Sequence, residues 1–411
     1  MKKILLYMLL HNTLLPTFFL NRYWTPELTN QAILGYRRVL ENITIQPFMM
    51  TADKANKSNN MLTPNVYEID GLVSIANLHH SYLLNNPNQE NIIPSEWISS
   101  GYAIPIRLGG EISSTGFGWN MSYQIVPGCI IGWSSGYSQM TGAINLQPQE
   151  EQGKYKLKEG MLLQINSIYN NLTKLMGITK NYTQFNNFAD QDIYIRFELS
   201  KDFFLAMRQI KWTFQLGAIL PTAHTSDIFN PADIPGGTNG FFGMYGGTYL
   251  DLLLKEDINF GLEGKLVFLS PDTKEIRTKR WFESLRYGSF TGKVDIEPGF
   301  IYNFSPYLSI EGLRKGLGCK VSYSTWGQTK TKYGFIQESQ IIQQIQMNIE
   351  NMSAWNQEHC AIVIFYDFCR EKTHFTYQPF LAFAAQIPVD FFFAEQSARS
   401  LAISFSFQLL F

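Results

Sequence analysis

The chain has 411 residues, of which 45% are apolar, 15% aromatic and only 16% charged. A charged fraction well below the roughly 25% of ordinary globular proteins, with so many aromatics, excludes long disordered stretches. The 33 basic and 34 acidic residues leave a net charge of -1, so nothing electrostatic points to nucleic acid as a partner.

Residues 1–22 open with Met1-Lys2-Lys3 and continue through apolar runs at 4–10 and 14–20. A short basic head and an apolar stretch predict a secretory signal peptide. An interrupted run of about 17 residues is at the short limit for a membrane-spanning helix. Residues 23–42 are expected to form a periplasmic or plug segment, with a helix allowed over 24–42. From residue 43 onward the dominant signal is alternation.

The first strand is predicted at 43–51, and the long link after it allows a short helix at 66–83. In a strand over 104–125, Phe117, Trp119, Met121, Tyr123 and Ile125 alternate with Gly118, Asn120, Ser122 and Gln124. Side chains on a strand alternate faces, so one side is greasy and the other polar. The parity slips at 113–116, which predicts a β-bulge. Pro127-Gly128 turns the chain into a strand at 128–138. A long segment, 138–190, follows, with Met161, Ile165, Ile168, Leu172 and Leu175 at the period of a helix over 156–178. Strands are then predicted at 191–200 and 206–220, followed by a segment 221–246 rich in Gly, Pro and Asn. That segment reads as a structured external loop covering the mouth of a pore, or equally as an ordinary surface loop.

Next come strands at 247–254 and 257–269, a segment 270–291, and strands at 292–304 and 307–326 joined by a turn at Ser305-Pro306. Segment 327–359 carries Ile341, Ile345 and Ile349 on one face of a helix predicted over 338–350. Strands at 360–369 and 374–388 lead through a link at 388–400 to the last, 401–411. There Leu401, Ile403, Phe405, Phe407, Leu409 and Phe411 alternate with Ala402, Ser404, Ser406 and Gln408. Many of these strands reach the 9 to 11 residues that a tilted strand needs to cross a bilayer. Short and long connections alternate, as periplasmic turns and extracellular loops do.

An even count of about 12 strands places both ends on the short-turn side. The fold expected is therefore all-β, a transmembrane antiparallel up-and-down barrel spanning 43–411, with short helices in its external loops. The chain resembles the outer-membrane β-barrel proteins of Gram-negative bacteria, porin-like proteins among them. The resemblance rests on the exported N-terminus, the alternating strands and the final run Ser404-Phe405-Ser406-Phe407-Gln408-Leu409-Leu410-Phe411. It implies that Phe405, Phe407, Leu409 and Phe411 form the signal read by the barrel-insertion machinery, and that outer-membrane lipid surrounds the wall.

Placing large apolar residues outward puts Arg107, Arg196, Glu198, Asp251, Glu263, Lys265, Lys293, Asp295, Glu297, Glu311 and Lys320 inside as candidate pore-lining residues, because charge on the lipid side is costly. Two readings stand: charges that pair and fill the lumen, or a polar eyelet that orients solutes. The four cysteines form no CxxC pair, and neither HExxH nor GxSxG occurs, so no metal, cofactor or catalytic role is called for. The function expected first is a porin-like channel for the passive passage of small solutes. The alternatives are a closed barrel serving as surface scaffold or adhesin, for which the run Phe391-Phe392-Phe393 offers a contact surface, and a transporter of apolar molecules such as fatty acids.

Overall fold

A computed structural model describes residues 41–56, 65, 67, 73–74, 105–148, 161–175, 177–178, 180–203, 207–255, 257–278, 285–288, 290–314, 316–335, 340–368 and 378–410. The expected signal peptide and the segment 23–42 lie outside the described residues, apart from the start of the first strand, and so does nearly all of 66–83.

Twelve strands form one closed antiparallel barrel. They are β1 (Glu41–Ala52), β2 (Pro105–Val126), β3 (Cys129–Pro148), β4 (Gln191–Asp202), β5 (Gln209–Leu220), β6 (Gly243–Lys255), β7 (Ile258–Leu269), β8 (Ile301–Arg314), β9 (Leu317–Gln328), β10 (Trp355–Asp367), β11 (Gln378–Val389) and β12 (Leu401–Leu410). Each pairs with its neighbour in sequence, and β1 closes the ring on β12 in the register Ile43↔Leu409 to Thr51↔Leu401. Closure leaves no wall edge unpaired, which a hydrocarbon surrounding demands. The links 53–104, 149–190, 221–242, 270–300, 329–354 and 390–400 all leave one end, and the short ones all leave the other. Gly316, at φ 93°, permits the two-residue turn between β8 and β9 because a residue without Cβ adopts positive φ at little cost.

The outer face carries a girdle of large apolar side chains. Ile193, Leu199, Trp212, Leu216, Met244, Phe268, Phe304, Val321, Ile364, Phe383 and Phe405 are large, apolar and exposed, while their strand neighbours turn inward and are buried. Among the described residues no helix is long and apolar enough to cross a membrane; this chain crosses with strands. A closed barrel with a greasy girdle and all its long links at one end is the build of a bacterial outer-membrane protein, and the protein resides in that membrane.

The inner face needs room for rings. A Cβ on Gly132, Gly217 or Gly261 would collide with the inward rings of Tyr194, Tyr245 and Tyr307 on the adjacent strands. Glycine inside a strand here marks the seat of a neighbour's aromatic ring.

Outside the barrel, strands Asp272–Thr278, Phe290–Glu297 and Lys332–Phe335 form a separate three-stranded sheet. Helices α1 (Met161–Leu175) and α2 (Gln340–Ser353) lie in the long links, as the spacing predicted. Ile345 and Ile349 of α2 are buried.

Three expectations are corrected. Residues 292–304 are not one wall strand: Pro298-Gly299 ends the external strand before β8 begins, so Val294 and Ile296 pack beneath the external sheet and not against lipid. Ser305-Pro306 is not a turn but lies inside β8, where the pairs to β9 skip from Phe304↔Thr325 to Tyr307↔Ser322. Proline, which lacks the N–H, is tolerated at such a gap. The bulge at 113–116 is absent, since β1 and β2 pair without a break from Glu41↔Tyr123 to Ala52↔Ile112. The slip in sequence parity has another cause: Leu108 and Ile112 face inward, where the strand carries apolar residues on its inner side.

Candidate functional site

Of the predicted lumen charges, six come together on the inner face of β4–β9: Arg196, Glu198, Asp251, Glu263, Lys265 and Lys320. Lys211, which the alternation of β5 also turns inward, joins them. Its Nζ lies 3.0 Å from Glu198 Oε2. Arg196 donates to Gln215 Oε1 at 3.2 Å and lies over the rings of Tyr194 and Tyr249. Lys265 sits 3.6 Å from the centre of the Tyr245 ring, and Lys320 sits 3.9 Å from that of Tyr307. Tyr245 Oη donates to Asp192 at 3.0 Å while accepting from Gln215 Nε2 at 2.7 Å, and Tyr307 donates to Asp251. Cation-on-ring contacts and buried hydrogen bonds engage Arg196, Lys265, Lys320 and Asp251, and an ion pair joins Lys211 to Glu198. On this stretch of the inner wall the charges are engaged largely by neighbouring side chains.

Glu311 falls at the inward parity near the short-turn end of β8 and is half-buried. Arg107 belongs to β2, with its side chain outside the described residues. Lys293, Asp295 and Glu297, expected in the wall, lie in the external sheet. There Thr273 donates to Asp295 and Lys332 pairs with Glu297 at 3.0 Å. Phe405, Phe407 and Leu409 follow the outward parity of β12, and Phe411 lies outside the described residues.

The other half of the inner wall differs. Val363, Phe365, Phe380, Ala382 and Ala384 of β10 and β11 form an apolar cluster. Next to it, Gln408 is fully buried with neither amide atom partnered.

Toward the long-link end, the inner wall of β4–β10 carries an apolar collar: Tyr194, Ile219, Tyr245, Val267, Ile301, Trp326 and Trp355, with Leu269 packed against it. A cavity of about 690 Å³ lies directly over this collar. Leu269 and Trp355 line its floor, and Ile228, Phe241, Ile296 and Met352 contribute apolar wall from the 221–242 link, the external sheet and α2.

The loop is held in place from below. Asp190, at the break between the strand Tyr182–Phe188 and β4, accepts the backbone N–H groups of Ala223 and Thr238. Gly237, at φ 53°, leaves space for the carboxylate. Burial pushes the Asp190 carboxyl up, opposed by these backbone donors. Asp233 is bonded by His224 Nε2 at 2.8 Å and by the N–H of Asp227 and the hydroxyl of Thr183.

The cations around the cavity are likewise engaged. Arg277 donates to the carbonyls of Ile228 and Gly288 at 2.8 and 2.7 Å, and Arg286 to those of Pro231 and Asp233 at 2.5 and 3.0 Å. Lys274 donates to the carbonyl of Asn239 and lies over the Phe241 ring; burial holds its amine below the ordinary lysine range. These cations brace the walls and, with Asp227, Asp233, Asp272 and Glu275, also line the cavity, so that apolar and charged side chains share its surface.

The sequence marks the loop by its Gly, Pro and Asn but does not point to Asp190 as its anchor. The available signal was the break in alternation at Ala189-Asp190 between two strand runs.

No protein-family model matches the chain, and no curated protein matches its sequence. The chain has distant matches among solved structures. An outer membrane channel from Pseudomonas putida F1 is 9% identical, with 94% of this chain and 100% of that one covered, at a TM-score of 0.49. A FadL homologue of Pseudomonas aeruginosa is 6% identical over 93% of this chain and 92% of that one, at 0.32. The toluene transporter TodX of P. putida is 12% identical over 95% of each chain, at 0.29.

Proposed function

We propose that the protein is an outer-membrane channel that captures small apolar molecules from outside the cell and admits them through its barrel. The observation that carries this reading is the cavity of about 690 Å³ seated on the apolar collar. A cavity of this size, with apolar wall set among charged and polar groups that can orient a ligand, suits a small organic molecule. A molecule arriving from outside meets Ile228, Phe241 and Trp355 before any lumen charge. The charges below are already matched to tyrosines and to one another, which argues against a polar eyelet as the selecting element.

The test is entry into whole cells. Cells producing the protein should take up the fluorescent apolar probe N-phenyl-1-naphthylamine faster than cells lacking it, with little change in permeation of small sugars. Faster sugar entry with unchanged probe entry, from a barrel shown to be folded, would return the reading to a general porin.

A further inference from the structure

We propose that the 390–395 link is a lipid anchor, in which Phe391, Phe392 and Phe393 insert among the acyl chains of the outer leaflet while Glu358 fixes their backbone from the barrel wall. The alternation of β10 places Glu358 on the same outward side as Ile362 and Ile364, yet Glu358 is 0% exposed. What covers it is the link itself. The N–H groups of Phe391 and Phe392 donate to Oε2 at 2.7 and 3.1 Å, and that of Phe393 donates to Oε1 at 2.7 Å. The outward-facing Tyr323 of β9 adds a fourth donor, its hydroxyl reaching Oε1 at 2.7 Å.

A carboxylate on the outer wall close to hydrocarbon is tolerable only when donors replace its water. Here three successive backbone amides do so. They also satisfy their own need for an acceptor, since a turn at this depth has no ladder partner. Two backbone hydrogen bonds between Asn356 and Glu395, each 2.8 Å, clamp the far side of the turn. The backbone is thereby held against the wall and the side chains point away from it.

Those side chains are 62%, 72% and 63% exposed. The Phe391 ring stacks on Tyr323 at 6.4 Å and the Phe392 ring meets it edge-on at 6.0 Å. Directly below, Val321, Ile362 and Ile387 belong to the exposed apolar girdle. The patch therefore continues the lipid-facing surface, and its occupant is hydrocarbon. Contiguous exposed apolar surface of this kind marks an interaction site, and its position on the outer wall excludes it from the path of a solute entering the mouth. The proposal depends on the barrel lying in a membrane and is independent of what the channel carries.

The full chain, reconstituted in dioleoylphosphatidylcholine vesicles, tests it by photo-cross-linking. Benzoyl-phenylalanine would be placed at position 392, at 364 within the girdle, and at 275 on the external sheet. Lipid adducts at 392 should match those at 364 and exceed those at 275 several-fold. In a Glu358→Gln background, with heat-modifiable migration confirming a folded barrel, the yield at 392 should fall several-fold while that at 364 holds. A yield at 392 no higher than at 275, or adducts to another protein copy in place of lipid, would overturn the anchor. An unchanged yield at 392 in the Glu358→Gln background would overturn the role of the carboxylate.

Discussion

The collar and the charged layer beneath it share the same strands, and pairs in one register place them only a few residues apart, yet they are built on opposite principles. Tyr245 pairs with Val267, and Val267 with Ile301, and these apolar side chains meet under a cavity. Along the same strands toward the short-turn end, Lys211 pairs with Asp251 and Tyr249 with Glu263, and polar atoms there are matched to ring faces, amides and hydroxyls. The difference teaches that charge inside a barrel need not mean a polar channel. Charge engaged by its neighbours is a structural element that sets the barrel's interior.

The distinction can be broken by substitutions in the lower layer, which should alter stability and leave apolar entry unchanged in the folded protein. Lys211→Ala should have the largest effect, because it strands the mostly buried Glu198 without its cation; about 3 kcal/mol of stability should be lost, read from urea unfolding in vesicles. Tyr245→Phe, at the boundary of the two layers, keeps the collar ring, removes only the hydroxyl shared by Asp192 and Gln215, and should cost about 2 kcal/mol in the same assay. Gln408→Leu, on the other half of the wall, should be neutral or stabilising by up to about 1 kcal/mol, because both amide atoms it removes are buried without partners. A large loss from Gln408→Leu would mean that the two halves of the inner wall do not differ as described.

Much of the wall was legible in the sequence because lipid imposes one rule on every strand. Leu401 to Leu409 and Ile193 to Leu199 display that rule with no tertiary knowledge, and the inward placement of Arg196, Glu198 and Lys265 follows from it. It failed where hydrocarbon was not the neighbour. Val294 and Ile296 alternate as a wall strand does, but their apolar side packs under a soluble-type sheet, and only Pro298-Gly299 marked the change. Leu108 and Ile112 mimic a bulge because apolar residues there turn inward. Glu358 ran against the rule altogether: a carboxylate on the outer wall is unreadable without the three amides that a later loop brings to it. The cavity itself draws on three separate links, and no local pattern in any of them announces the others.

The central claim is that apolar molecules bind at the mouth, over the collar. Ligand-observed ¹⁹F NMR of fluorobenzene with the protein in lipid nanodiscs addresses it directly, comparing the wild type with Ile228→Asp, which places a carboxylate in the cavity wall and leaves the barrel strands untouched. The wild type should broaden the fluorine signal beyond empty nanodiscs, and Ile228→Asp should return it most of the way to that baseline. Equal broadening by both proteins, or none beyond empty nanodiscs, would contradict a binding site at the mouth.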